Sequence, residues 1–373
     1  MQRRTTLLAL GAAGLALVAA CGSPTSGGGG APAAGGASKA EQVYSEVGGL
    51  TGDARRDRLV ELAKQEGNTL SLYTSLNADI ADAVVPAFKE QYGVDVKIYR
   101  ADSETVLQRT LQESSASFAG ADVVETNATE MAVLADKGLT GDYRSAERDK
   151  INPQFQYQGW TPTRFNIFAP AWNTQQVTGD LIPKTWQDLA DPKYDGLLSL
   201  EVGDSDWYMT LYGWLQKQGK SDAEIDQYFS DVVNGAKIAK GHSGQVELLS
   251  AGEFGVVGAS YSYLTAKARN SGAPVDDQPF VQPVVARANG GGVLKSAAHP
   301  ATATLFMDWL LGPGQQLILD KGLTPAVMPD GTDPLGGQQV IPVDVKQLLS
   351  EGAQWSERYD KLLQGGEQVK TPS

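Results

Sequence analysis

The stretch TLSLYTSLNADIADAVVPAFKEQYGVDVKIYR, Thr69 to Arg100, decides the fold class. Leu70 to Tyr73 reads as a strand, and Val94 to Tyr99 as a second. Between them Val84, Val85, Phe88 and Tyr92 recur at helical spacing, predicting a helix over 81–92 with a kink or later start at Pro86. Upstream, Leu59, Leu62 and Ala63 predict a helix that Gly67 ends. Downstream, Ser103 reads as the cap of a helix carrying Val106, Leu107 and Leu111. A third strand, Asp122 to Glu125, and a helix, Thr129 to Lys137, follow. This βαβαβα order is that of a doubly wound sheet, whose ligands sit beyond the carboxyl ends of the strands. Ser75, Asn77, Ser103, Thr126 and Asn127 occupy those positions and are candidate ligand contacts. Turn formation alone also accounts for such short polar residues.

A second α/β run begins near Arg164. Strand-like segments are Phe165–Trp172, Leu197–Val202, Lys237–Ala239 and Phe254–Ala259, with helices at Trp207–Leu215, Ala223–Val233 and Gln245–Ala251. Near Val281 to Ala286 the chain returns to the first lobe, which closes with helices at Thr302–Leu311 and Gln315–Lys321. Surface helices are expected at Val345–Leu348 and Trp355–Leu363. The expected class is therefore α/β with two lobes: residues 41–164, then 165–281, then 282–373 returning to the first. Two connecting strands make a hinge, and the cleft closes on a ligand by rotation.

Asp206 and Trp207 open a helix, where acidic groups serve as caps and an aromatic ring either stacks on a ligand or packs in the core. Gly241-His242-Ser243 stands ahead of another helix, so its amides, hydroxyl and imidazole suit an anion, although Ser243 also suits an N-cap. Tyr261 and Tyr263 leave a strand two residues apart, hence with one facing, and suit metal chelation or the walls of an organic site. Arg164 at the hinge is expected to hold either an anion or a carboxylate of the protein.

Arg3 and Arg4 precede an apolar run, Leu7 to Ala20, too short to span a membrane as a helix and of the length of a signal-peptide core. It ends in Val18-Ala19-Ala20-Cys21, which resembles a lipobox, with the chain's single cysteine at the acceptor position. The expected leader is 1–20, and the tether is 21–40, rich in Gly, Ala, Ser and Pro. Losing the leader takes two of 31 basic residues and moves the net charge from −13 to −15. Such acidity excludes nucleic acid as a partner. One cysteine and two histidines exclude a disulfide, a thiolate metal cage and a His-rich zinc site.

Further motifs are Ala63-Lys64-Gln65-Glu66-Gly67, Ala121-Asp122-Val123-Val124, Lys184-Thr185-Trp186-Gln187-Asp188-Leu189, Asp191-Pro192-Lys193-Tyr194-Asp195-Gly196, Ser250-Ala251-Gly252-Glu253, Pro283-Val284-Val285 and His299-Pro300. In this order the chain resembles the extracellular solute-binding proteins of ABC importers, in the branch that includes ferric-iron binders. The resemblance covers about residues 55–325. It implies a two-lobed, type II periplasmic-binding-protein fold, a monomer outside the cytoplasm, and delivery of a small molecule or metal complex to a membrane permease. It implies neither catalysis nor a cofactor. Ferric-binding members carry a histidine or tyrosine in the first loop, a glutamate in the third and two adjacent tyrosines. Here stand Asn77, Asn127 and Ser262-Tyr263, so any metal would rest on Tyr261, Tyr263, Asp204 or Asp206 in a rearranged site. A secreted carboxylate-dependent hydrolase and a scaffold or adhesin lipoprotein are the alternatives. Neither a Gly-x-Ser-x-Gly elbow nor a P-loop occurs.

Overall fold

A computed structural model describes residues 37–330 and 336–371. The expected leader, Cys21 and the tether up to Gly36 lie outside the described residues. Helix α1 (Lys39–Val47) takes in the last two residues of the expected tether, held by a capping box between Ser38 and Glu41. Helix α2 (Gly52–Gln65) follows. Then come β1 (Thr69–Thr74), α3 (Ala78–Tyr92), β2 (Asp95–Arg100), α4 (Ser103–Ser115), β3 (Val123–Asn127) and α5 (Ala128–Asp136). The long strand β4 (Thr161–Asn173) leads into β5 (Leu198–Glu201), α6 (Ser205–Lys217), α7 (Asp222–Val233), β6 (Lys237–Ala239), α8 (His242–Ala251), β7 (Val256–Tyr261), α9 (Ser262–Asn270) and the short β8 (Val275–Asp276). The return is β9 (Val284–Val293), α10 (Pro300–Leu311), α11 (Gly314–Asp320), β10 (Thr324–Pro325), β11 (Val340–Pro342), α12 (Val345–Leu363) and β12 (Glu367–Gln368). No helix of the described residues is long and apolar enough to cross a membrane.

The main strand order is β12-β6-β5-β7-β4-β9-β3-β1-β2. Parallel pairs β1–β2 and β1–β3 build one half, and β5–β6 with β5–β7 build the other. Strands β4 and β9 join the halves and pair antiparallel with each other. Each half has its own apolar core. Leu70, Phe88, Val124, Phe306 and Trp309 belong to the first, and Trp186, Trp207, Phe229, Ile238 and Tyr359 to the second. Alternation along the joining strands supplies both: Phe165 and Ile167 pack in the first core, Phe168 and Trp172 in the second. Where the chain expects two C-terminal helices there is one, α12, whose Tyr359 and Leu363 pack in the second core. Pro86 is accommodated inside α3, which begins at Ala78, before the expected start rather than after it.

Several motif residues are braces. The Glu66 carboxylate accepts from the backbone N–H of Ala301 and Thr302 at the start of α10, satisfying donors that a helix leaves unpaired. Asp122 accepts from the N–H groups of Ser71 and His299 and lies 2.9 Å from His299 Nδ1. Trp186 Nε1 donates to the Pro283 carbonyl at 2.8 Å, and Asp188 completes a capping box with Thr185.

Behind the joining strands, Asp277 faces Arg269 at 3.0 Å but keeps Oδ2 without a partner, and its side chain is 2% exposed. Burial outweighs the arginine and pushes its carboxyl up to about 6. The folded chain then holds a proton that the unfolded chain has released, so ionisation opposes folding. Stability is expected to fall as pH rises from about 4 to 6, by about 3 kcal/mol for a shift of roughly two units. Urea melts of Asp277→Asn should show a flatter profile across that window; an unchanged slope would refute the assignment.

Candidate functional site

The site starts from the alternation of β4 and β9. Register pairs Arg164 with Asn289, Asn166 with Arg287 and Phe168 with Val285, so these six side chains share one face. Asn127 of β3 pairs with Asn289, and Tyr261 of β7 pairs with Phe168, extending the row in both directions. A polar strip thus crosses the hinge. Arg164 donates to Glu125 at 2.5 Å, and Thr74 and Thr163 donate their hydroxyls to the same carboxylate at 2.8 and 2.9 Å. Arg287 donates to Asp206 at 3.0 Å and to the Tyr261 hydroxyl. Its Nε has no protein partner, and neither amide atom of the fully buried Asn289 has one.

The second lobe contributes two turns beyond parallel strands. After β5, Glu201 accepts from Gly203 N–H and from Gly241 N–H, at 2.5 and 2.7 Å, tying that turn to the one after β6. Gly241 has φ +87°, a conformation natural to glycine, and its turn delivers His242 as the first residue of α8. His242 Nε2 lies 3.0 Å from Asp204 Oδ1, and its ring stacks on Tyr261 with centroids 3.6 Å apart. Burial pushes the Asp204 carboxyl up to about 6, with His242 acting in the other direction.

The first lobe closes the set. Thr126 donates to the Ser75 hydroxyl and Asn127 to the Ser103 hydroxyl, both at 2.9 Å. Glu130, in the first turn of α5, keeps Oε2 buried and without a partner, and burial raises its carboxyl. Asn77 Nδ2 donates to the Tyr263 hydroxyl at 3.3 Å, and Lys267 meets Asp79 at 3.1 Å, so two polar contacts run from the first lobe to α9. Burial raises the Tyr263 phenol.

The structure brings together Ser75, Thr126, Ser103 and Asn127 on one side, and Asp206, His242 and Tyr261 on the other. Four expectations change. Trp207 is wholly buried, with Trp186 and Phe229 against it, because the aromatic side of α6 faces the core. Asp102, not Ser103, caps α4. Ser243 lies inside the first turn of α8, whose N-cap is Gly241. Tyr263 is not a strand residue, since α9 starts at Ser262; the two tyrosine rings nonetheless stack, 6.1 Å apart. Arg164 takes the protein carboxylate of its two expected partners. Sequence reasoning passed over Arg287, Asn289 and Glu201, and took Asp204 only as a helix-start acid or a member of a rearranged metal site. An arginine and an asparagine within the run Val284–Val293 were the available signal.

Residues 121–344 match the profile of the bacterial extracellular solute-binding protein family. A Fe(3+)-binding periplasmic protein of Serratia marcescens is 23% identical over 262 residues, 66% of this chain and 75% of that protein. Among solved structures, iron-bound HitA of Pseudomonas aeruginosa superposes with a TM-score of 0.65 at 20% identity, covering 78% of this chain and 99% of its own. AfuA of Actinobacillus pleuropneumoniae, with fructose-6-phosphate bound, gives 0.64 at 20% identity, covering 79% of this chain and 98% of its own. At these identities the structural likeness speaks for the fold.

Proposed function

Because the chain belongs to the bacterial extracellular solute-binding protein family, we propose that it is the lipid-anchored receptor of an ABC importer, capturing a small polar organic solute between its lobes for a membrane permease. The observation that carries this reading is the convergence of hydrogen-bonding groups without protein partners. Arg287 Nε and the Asn289 amide lie on the joining strands, Glu130 Oε2 on the first lobe, and Asp204 Oδ2 and His242 Nδ1 on the second. Each buried group left so costs roughly 1–3 kcal/mol, and native folds tolerate few of them. A solute with acceptor oxygens for Arg287 and a hydroxyl or amino donor for Glu130 would answer them together.

A bare ferric ion suits this set poorly. The Tyr261 hydroxyl takes a hydrogen bond from a guanidinium, which would repel the ion, and the Tyr263 hydroxyl takes one from the Asn77 amide. The anchor would be Cys21, lipidated after removal of residues 1–20, with the segment up to the first helix as tether. The proposed lobes are 41–164 with the return that starts at 282, and 165–281, against which the last segment, α12 and β12, packs. Cys21→Ser should move the protein from the membrane to the soluble fraction; retention at the membrane would argue against the anchor.

The test of capture is native mass spectrometry of the whole chain, purified in mild detergent from its own host, before and after denaturation. A molecule of a few hundred daltons released on denaturation is the expected result. A ferric ion alone would replace the organic-solute reading. An empty chain from every growth condition would sink it.

A further inference from the structure

We propose that Glu201, Asp204 and His242 bind one divalent transition-metal ion of the zinc class, on the second lobe at the edge of the cleft. Their donor atoms lie within 4.8 Å of one another. His242 Nε2 stands 3.0 Å from Asp204 Oδ1 and 3.9 Å from Glu201 Oε2. A tetrahedral ion with bonds of about 2.0–2.1 Å needs donors roughly 3.3 Å apart, and these separations bracket that value.

The independent observation is Asp204. Its side chain is 1% exposed, and while Oδ1 faces His242 Nε2 at 3.0 Å, Oδ2 has no partner. The Asp204–His242 contact alone leaves the trio with one net negative charge when the imidazole is protonated, and two when it is not. A divalent ion cancels both and leaves the imidazole neutral, the form that ligates. The positive charge of Arg287, which faces this group, is already matched by Asp206 at 3.0 Å.

The supports are built. Gly203 and Gly241 N–H groups orient the Glu201 carboxylate. Tyr359 fixes the end of β5 by donating to the Glu201 carbonyl at 2.9 Å, and Tyr261 stacks on the imidazole. Such outer partners are what a metal site requires. One nitrogen and two carboxylates suit zinc or its neighbours; calcium prefers six to eight oxygens. All three donors come from one lobe, at the end of β5, the cap of α6 and the start of α8, so the site does not depend on closure. The fourth position is left for water or for an oxygen of the solute.

The test is calorimetric titration of the metal-stripped full chain with zinc chloride alone, with native mass spectrometry counting the ions. One zinc per chain is expected. His242→Ala and Asp204→Asn should each weaken binding by about 100-fold or more, while Asp226→Asn, on the exposed flank of α7, should leave it unchanged. X-ray absorption of the zinc-loaded wild type, which needs no variant to fold, should show one imidazole among oxygen ligands. No stoichiometric zinc, a spectrum without imidazole, or unchanged affinity in a folded His242→Ala protein would overturn the site. Solute captured by a chain that binds no zinc overturns the metal site and spares the receptor reading; zinc bound by a chain that captures no solute supports the site while the receptor reading fails.

Discussion

Arg287→Ala is expected to abolish solute capture and to lower folding stability by about 3–5 kcal/mol. The guanidinium is held between Asp206 and Tyr261, with the Phe168 ring 5.3 Å away, and is 15% exposed. Removing it strands the Asp206 carboxylate, itself 9% exposed, without its cation, which is the costly way to break an enclosed pair. It also removes the buried Nε–H that has no protein partner. Arg287→Lys separates the two effects: the charge stays for Asp206, the planar fork is lost, and affinity should fall much more than stability. Urea melts and titration with the host-derived solute read the two quantities. Wild-type stability in Arg287→Ala would show that the pair is not enclosed in solution.

Glu125→Ala should cost a similar amount, about 3–5 kcal/mol, by leaving Arg164 buried and unpaired. Here the side chains are 7% and 2% exposed, and the hydroxyls of Thr74 and Thr163 lose their acceptor as well. The informative variant is the pair. Glu125→Ala with Arg164→Met removes both charges, and replacing an enclosed ion pair by apolar groups is often nearly neutral. The double variant is therefore expected to be more stable than Glu125→Ala alone, and strict additivity of the two single losses would contradict the argument.

The strand–helix order from Leu70 to Lys137 was legible because Leu70 and Leu72 of β1 and Val96 and Ile98 of β2 recur at strand spacing, Val123 and Val124 open β3, and the helices between them bury one stripe. The second lobe was legible in order but not in its ends, since Tyr261 looks the same whether the strand stops there or two residues later. The candidate site was half legible. Thr126 and Asn127 are the last two residues of β3 itself, which runs two residues past its expected end, while Ser75 follows from the rule that ligands sit beyond strand ends. Arg287 and Asn289 do not, because they lie inside a strand and become a floor through cross-strand register with Arg164 and Asn166. Register between β4 and β9 depends on residues more than a hundred positions apart, which no local pattern encodes. Trp207 failed for a different reason: helix α6 has Trp, Tyr and Met in succession, and periodicity cannot choose which faces the cleft. Motif residues such as Glu66 and Asp122 turned out to brace helix α10, so the likeness to a family rested partly on its scaffold rather than on its ligand.

The placement of β9 between β3 and β4 also governs when this molecule can acquire its shape. The first half-sheet waits for a strand that ends at Val293, and Arg55 waits for Asp308, 253 residues further along the chain. A chain that emerges from its amino end therefore stays without its first completed core until about four-fifths of it has been made. Contacts of such sequence separation close slowly. That delay would leave the strand edges of the growing chain in need of protection until the last segments arrive.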